Sequence, residues 1–296
     1  MNDRALPCGT VAVVGPGRVG TVLAAALRHA GHRIIAAAGG SEESRRRFAT
    51  RFPAVATAAD LAVAAGADLV VVATPDDAVA DAVAALAGPA DALGEGQRVV
   101  HIAGSLGLSP LRPARLAGAR VAACHPAQTI PSADADPAVL HGAAWAVTAT
   151  PPDRGWARAL VRQVGGVPVD VADARRGLYH AALVIGSNAV GAAVSVARQL
   201  ALAARIPDPA AFLEPLVRVS VENALAQGAL ALTGPVVRGD VGTLGRHLAR
   251  LSEDAPELAA AYRALNQVVL HQARPGLDPD VVRAVGDVLA AGGEGS

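Results

Sequence analysis

The segment from Val11 to Ile34, VAVVGPGRVGTVLAAALRHAGHRI, constrains the fold more than any other stretch of the chain. A β-branched run leads into a glycine loop. An alanine-rich run then ends at Gly31, and a second β-branched run follows. The loop Gly15-Pro16-Gly17-Arg18-Val19-Gly20 has the spacing G-x-G-x-x-G. After a strand and at the start of a helix, each glycine has a task. Gly15 permits a tight turn, Gly17 lets a pyrophosphate approach the backbone, and Gly20 lets the helix pack close to the sheet. The helix N-terminus then faces the phosphates. The segment therefore predicts a dinucleotide held by Gly15, Gly17, Arg18, Val19 and Gly20.

Short β-branched runs continue to alternate with helical runs up to about residue 172. The pattern predicts strands at TVAVVG, HRIIAAA, AVAT, ADLVVVAT, RVVHIAG and ARVAACHP. GAAWAVTAT and GVPVDVA read as late additions to the same sheet, flanking a helix near Trp156 to Val164. Strands and helices at this spacing make a doubly wound parallel sheet. After Asp173 the strand signals stop. Ala174 to Arg205 reads as one long helix, Ala210 to Gly228 as a second, and further helices follow to Ala291, with a frayed GGEGS tail. The expected class is α/β, a Rossmann sheet over residues 1–172 followed by an all-helical domain over 173–296 that supplies the substrate side.

The carboxyl ends of the strands are where ligands bind in such sheets. The second strand ends in GGSEESRRR instead of the acidic residue that would bind the ribose hydroxyls of NAD. Ser41 and Arg45 there suit a 2′-phosphate, which favours NADP with NAD as the alternative; Glu42 and Glu43 argue the other way unless they serve the helix dipole. Thr74, Pro75 and Asp76 end the fourth strand and line the cofactor, or Asp76 simply caps a helix. Gly104 and Ser105 end the next strand, with His125 and Gln128 after the one that follows. In the helical half, His180 and Asn188 are eight residues apart, on nearly one helix face, while Tyr179 points elsewhere as packing. In LTGPVVRGDVG, Arg238 binds a substrate carboxylate and closes the site with Asp240, or the two pair with each other and hold the loop.

Composition excludes several classes. The 296 residues carry no net charge, which gives nucleic-acid binding no electrostatic support. The chain has no lysine, so lysine chemistry is excluded. Cys8 and Cys124 are far apart, without metal-ligand spacing, as expected of a reduced, cytoplasmic protein that binds no metal. Leu178 to Ala197 is apolar enough to suggest a membrane span. His180, Ser187 and Asn188 within it, and the charges at its flanks, favour a buried helix of a soluble protein instead.

The motifs VAVVGPGRVG, HIAGSLG, CHPAQT, YHAALVIGSN and LTGPVVRGD together resemble Rossmann-like proteins with a DUF2520 C-terminal domain. That family looks like a branch of the group containing ketopantoate reductase, pyrroline-5-carboxylate reductase, β-hydroxyacid dehydrogenases and prephenate dehydrogenase. The resemblance implies NAD(P) binding, a homodimer built through the helical domain, and an active site between domains. His180 stands where the wider group has a lysine, with Asn188 eight residues on; Val184, at the four-residue position, is a departure. CHP resembles the His-Pro of prephenate dehydrogenases, which makes His125 a rival proton donor. The expected function is an NADP-dependent oxidoreductase that reduces a small carbonyl compound, such as a 2-keto acid like ketopantoate, or an imine. Two alternatives stand beside it: a non-catalytic NAD(P)-binding sensor, and an enzyme working in the oxidative direction.

Overall fold

In the computed structural model of the chain, residues 7–64, 66–88 and 93–291 are described. The tail read from sequence as frayed lies outside them. Two compact units form, Met1–Val184 and Ile185–Ser296.

The first unit is built on β1 (Thr10–Val14), β2 (Arg33–Ala38), β3 (Ala56–Ala58), β4 (Leu69–Val72), β5 (Arg98–His101), β6 (Arg120–Pro126), β7 (Ala144–Ala149) and β8 (Val167–Asp170). They form one sheet in the order β3-β2-β1-β4-β5-β6-β7-β8. The chain runs outward from β1 to β3, then crosses back to β4 on the other side of β1. This places a switch point between β1 and β4, where their loops diverge and leave a crevice. β1 and β4 are apolar along nearly their whole length because both faces of the sheet are covered. Helix α1 (Arg18–His29) buries Gly20 through Leu27 on one face, against Val11, Val13, Leu69 and Val71. The other face is covered by α3 (Val79–Leu86) and α4 (Arg112–Leu116), through Val83, Leu86 and Ala114. Helix α2 (Glu42–Arg51) buries Phe48, stacked on Phe52 at 4.5 Å.

The sheet departs from the expected all-parallel pattern at one place. β6 and β7 pair antiparallel, with His125 opposite Ala146, and β8 is parallel to β7. The 3-10 turn at Pro137–Leu140 is the only helical element between β6 and β7, so no crossover helix carries the chain back to the starting edge. Helix α5 (Pro151–Gln163) then links β7 to β8, and α6 (Arg176–Val184) packs with this unit.

The second unit is helical. A π-turn at Ile185–Ala189 leads into α7 (Val190–Ala203), followed by α8 (Pro209–Gln227), α9 (Pro235–Arg238), α10 (Val241–Asp254), α11 (Pro256–Ala273) and α12 (Pro279–Ala290). Two small cores hold it. Leu244 of α10 joins Val236, Val285 and Leu289, and Leu248 and Leu251 join Ala255 and Leu258. The three leucines of α10 sit at i, i+4 and i+7, the spacing of one helix face. Between them α7 and α8 bury only Ala201 and Pro209.

The run from Leu178 to Ala197 corrects an expectation. Asp173–Ala203 is long and apolar enough to cross a bilayer by length and composition, and its most apolar window is not buried within the chain. Leu178 is 69% exposed and Ile185 65%. An Ala/Val-rich helix was expected to lie in a core; here much of its apolar side is left exposed.

Candidate active site

The glycine loop makes the predicted turn. Gly15 has φ +89°, and a Cβ there would sit 2.8 Å from the backbone of Ala73 and Thr74, across the switch point. A Cβ on Gly20 would meet the Gly15 carbonyl oxygen at 2.4 Å, so the first turn of α1 rests directly on the loop. Gly17 differs from both, since a Cβ there meets nothing within 4 Å. It is the N-cap of α1, which has no side-chain cap and no acidic residue in its first turn. The positive end of α1 therefore opens onto free space beside Gly17. Thr74 Oγ1 is buried without a hydrogen-bond partner at the end of β4. An open glycine, an uncapped helix start and an orphaned hydroxyl together fit the pyrophosphate of a dinucleotide.

At the end of β2, Gly39 and Gly40 both take left-handed conformations, with φ of 69° and 67°. The Arg45 guanidinium donates to both of their carbonyls, at 3.2 and 2.5 Å, and so holds this double turn. Ser41 caps α2 by accepting from the Ser44 amide. Glu42 and Glu43 pair with Arg46 and Arg47 at i,i+4 spacing on the surface. The acidic residues are thus engaged with arginines of their own helix, while Ser41 is exposed at its start.

The ends of β4, β5 and β6 carry the polar residues. Asp76 does not cap a helix; its carboxylate accepts a 2.5 Å hydrogen bond from Ser105 and ties the loops after β4 and β5 together. Gly104 is the pivot of the site. A Cβ built there would lie 2.4 Å from His180 Cδ2, 2.9 Å from His180 Nε2 and 3.0 Å from His125 Nε2. Both imidazoles therefore aim their Nε2 atoms at one small space above the end of β5, their rings edge to face with centroids 5.7 Å apart. Gln128 is not beside them: it is exposed and donates to the Val139 carbonyl, bracing its loop.

Three residues not anticipated as functional complete the cluster. Tyr179, read from sequence as packing, has its hydroxyl 3.0 Å from His125 Nδ1. Arg176 is fully buried, donating to the Ala103 carbonyl at 2.6 Å, Thr148 Oγ1 at 3.1 Å and the Ala123 carbonyl at 3.4 Å. Asp173 accepts from the Leu108 amide at 2.6 Å and fixes the start of α6 to the loop after β5. Arg176 and Tyr179 are three residues apart, so they share a helix face; this was the one available sequence signal. Burial, then the charges of Arg176 and His180, pull the His125 pKa from 6.5 down to about 4. Burial raises that of Tyr179. His101, at the end of β5, is also drawn down to about 4 by burial; its Nε2 donates to the Gly107 carbonyl and its Nδ1 accepts from the Ala103 amide, a structural arrangement. Burial pushes the Cys124 thiol up to about 12, which leaves it unreactive.

The remaining candidates belong to the second unit. Asn188 lies in the π-turn, where the α-helical spacing from His180 is interrupted. Asp240 caps α10, accepting from the Thr243 amide at 2.9 Å and the Thr243 hydroxyl at 2.7 Å; these bonds lower its pKa. Its hydrogen bonds go to Thr243 instead of Arg238, and Arg238 is exposed at the end of α9.

The first unit is a Rossmann-type fold with a polar cluster at the ends of β4, β5 and β6, and the second is an all-helical domain. The chain carries a Rossmann-like domain, matched over residues 3–126, and a domain of unknown function, DUF2520, matched over 143–269. No curated protein matches it in sequence. Among solved structures, it is similar to a Bacteroides fragilis protein assigned as an NADP oxidoreductase, with TM-score 0.72 and 22% identity over 88% of this chain and 98% of that one. A Thermotoga maritima protein gives TM-score 0.63 and 17% identity, over 90% and 99%. A pyrroline-5-carboxylate reductase from Coxiella burnetii gives 0.56 and 16%, over 95% and 99%. At these identities the likeness shows the fold.

Proposed function

We propose that this chain is a nicotinamide-dinucleotide-dependent oxidoreductase, using NADP in preference to NAD, that reduces a small carbonyl or imine compound. The observation that carries this reading is the convergence of two imidazole Nε2 atoms above Gly104, at the strand edge where the open glycine loop also ends. A sensor needs the loop alone; paired, partly buried histidines aimed at one space suit a reaction that consumes a proton. The fold of oxidoreductases such as the Bacteroides fragilis protein supports the same reading.

Gly15, Gly17, Arg18, Val19 and Gly20 hold the pyrophosphate, with Thr74, Pro75, Asp76 and Gly104 along the rest of the dinucleotide. Ser41 and the first amides of α2 take the 2′-phosphate, on a turn held by Arg45. When bound, the nicotinamide supplies the hydride. His180 gives a proton to the substrate oxygen or nitrogen and regains it from water, while His125 hydrogen-bonds the same atom. Ser105, held by Asp76, orients the group at the edge of the site. Asn188 and Arg238 orient the substrate, and Arg238 suits a carboxylate such as that of a 2-keto acid. Asp240 serves as a cap and sets the start of α10. The working protein is a cytoplasmic homodimer formed through the helical domain, with no role for nucleic acid, metal or membrane.

The test is a fluorescence titration with NADPH and NADH, followed by an NADPH-oxidation screen against 2-keto acids, 3-oxo acids and cyclic imines. Micromolar binding of NADPH, tighter than NADH, is expected. Failure to bind either dinucleotide would refute the assignment. An unchanged rate in His180→Ala would transfer the proton to His125.

A further inference from the structure

The two histidines above Gly104 stand in different surroundings. His125 leaves β6 with Tyr179 on its Nδ1 side and Arg176 behind it. Arg176 is unusual in its own right. A guanidinium with no exposed surface normally has a carboxylate partner, because a buried charge left unpaired is strongly destabilising. Here no carboxylate lies within ion-pair distance among the described residues. The charge is held by the Ala103 and Ala123 carbonyls and by Thr148, whose own hydroxyl proton goes to the Val171 carbonyl at 2.6 Å. Arg176 Nε has no acceptor at all. One side chain thus ties β6 and β7 to the loop after β5, and keeps a positive charge 6.0 Å from the Tyr179 ring.

The phenol completes the arrangement. The single proton of Tyr179 Oη has two acceptors to choose between. His125 Nδ1 is at 3.0 Å and the His125 carbonyl at 3.4 Å; the shorter contact takes the proton. An imidazole that accepts at Nδ1 carries its own proton on Nε2, the atom aimed above Gly104.

We propose that Arg176 and Tyr179 are positioning residues for His125: a buried fixed charge behind the ring and a phenol on its Nδ1 fix it as a hydrogen-bond donor through Nε2. His125 then polarises the reacting carbonyl or imine without giving up a proton, and delivery of the proton falls to His180. The division of labour rests on the function proposed above; the state of His125 does not. The groups that face His125 are Arg176, Tyr179 and His180 of α6, His101 of β5 and Asp76 after β4. Burial and the fixed Arg176 charge both disfavour a second proton on the ring and outweigh the Asp76 carboxylate, so the ring stays uncharged through the neutral range.

The test uses the whole chain without dinucleotide or substrate, so its failure is separate from failure of the functional reading. Histidine 15N spectra are recorded from pH 8 to pH 5, with the His125 signals assigned as those missing from His125→Gln. The expected pattern is a bare Nδ1 and a protonated Nε2 that persist across the range. Tyr179→Phe, which keeps every charge, should move the ring to a mixture of tautomers. Arg176→Gln should raise the His125 midpoint by about one pH unit or more, and Arg176→Lys should restore it. A merely structural Arg176 would not distinguish the last two variants. Wild-type spectra with the proton on Nδ1, a His125 midpoint near 6.5, or an unchanged tautomer in Tyr179→Phe would overturn the proposal. If the Arg176 variants fail to fold, the wild-type and Tyr179→Phe spectra decide it.

Discussion

Gly17 and Gly20 lie three residues apart in one loop, yet their replacement by alanine should have opposite consequences. At Gly20 the new Cβ would stand 2.4 Å from the Gly15 carbonyl oxygen, about 1 Å inside ordinary contact. The obstacle is backbone, so α1 must lift from the sheet along a face that buries everything from Gly20 to Leu27. Overpacking of this kind costs roughly 1–3 kcal/mol. For a unit of this size that is a drop in Tm of roughly 2–12 °C. At Gly17 the Cβ meets nothing, and the backbone, with φ −78° and ψ −161°, is open to any residue. Reduced freedom of the unfolded chain offsets the poorer capping by alanine, so Tm should move by less than about 1 kcal/mol equivalent. The Cβ instead fills the space through which a pyrophosphate approaches. NADPH affinity should fall by at least about tenfold, the equivalent of ~1.4 kcal/mol. Thermal unfolding followed by circular dichroism, with NADPH titration by fluorescence, measures both. Wild-type affinity in Gly17→Ala would show that the phosphates do not lie against this loop. An unchanged Tm in Gly20→Ala would contradict the packing argued for α1.

Three further outcomes follow from the same geometry. Gly104→Ala should fold but displace both imidazoles by about 1 Å, lowering turnover in the NADPH-oxidation assay by about 10²-fold; wild-type turnover would separate the histidines from the chemistry. His101 and His125 both have folded pKa values lowered from 6.5 to about 4, so the unfolded chain binds more protons between those values. Their contribution of roughly 3 kcal/mol each is present above pH 6.5 and is lost as pH falls toward 4, which denaturant titrations at pH 7.5, 5.5 and 4.5 would detect. Only exposed Cys8 should react with a thiol reagent in the native protein, with buried Cys124 reacting after unfolding; two fast thiols would contradict the packing of β6.

The alternation of β-branched and alanine-rich runs made the sheet and most helices legible, because each run reports the burial of one local element. The direction of β7 was not legible. Its AWAVTA run is equally buried in either orientation, and its antiparallel pairing with β6 depends on how the chain between them returns. The glycine loop was readable because each glycine answers a backbone requirement that other residues cannot meet. The histidine cluster was readable only in part. His125 and His180 stand out as polar interruptions of apolar runs, but Tyr179 beside His180 looks like packing until β6 is set against α6. Arg176 was invisible for a related reason: its partners are two backbone carbonyls and a threonine from two strands and the loop after a third, which no local spacing records. Asp240, by contrast, was over-read. An aspartate three residues before a threonine at a helix start is a capping pattern, and that local bond is the one it makes.

The helical unit makes the last prediction. Helix α8 has nineteen residues and buries only Pro209. Phe212, Leu216 and Val219 repeat at i, i+4 and i+7 with exposures of 63%, 63% and 46%, an apolar stripe left facing solvent. Ile185, Leu225, Leu230 and Val268 of the same unit are also more than half exposed. Covering a half-exposed side chain of this kind contributes about 1–2 kcal/mol. Seven such residues from each of two copies would yield roughly 14–28 kcal/mol gross, against an association cost of about 4–15 kcal/mol. Over most of these ranges the gain exceeds the cost, so a second copy of the chain can close the stripe, and light scattering in detergent-free buffer should give a dimer at micromolar concentration. Leu216→Glu in both copies removes two burials and adds two carboxylates to an apolar surface. It should weaken association by at least about 10²-fold, or ~3 kcal/mol, without lowering the helix content seen by circular dichroism. A wild-type protein that stays monomeric without detergent would refute the reading, and one that stays in solution only with detergent would return Asp173–Ala203 to consideration as a membrane segment.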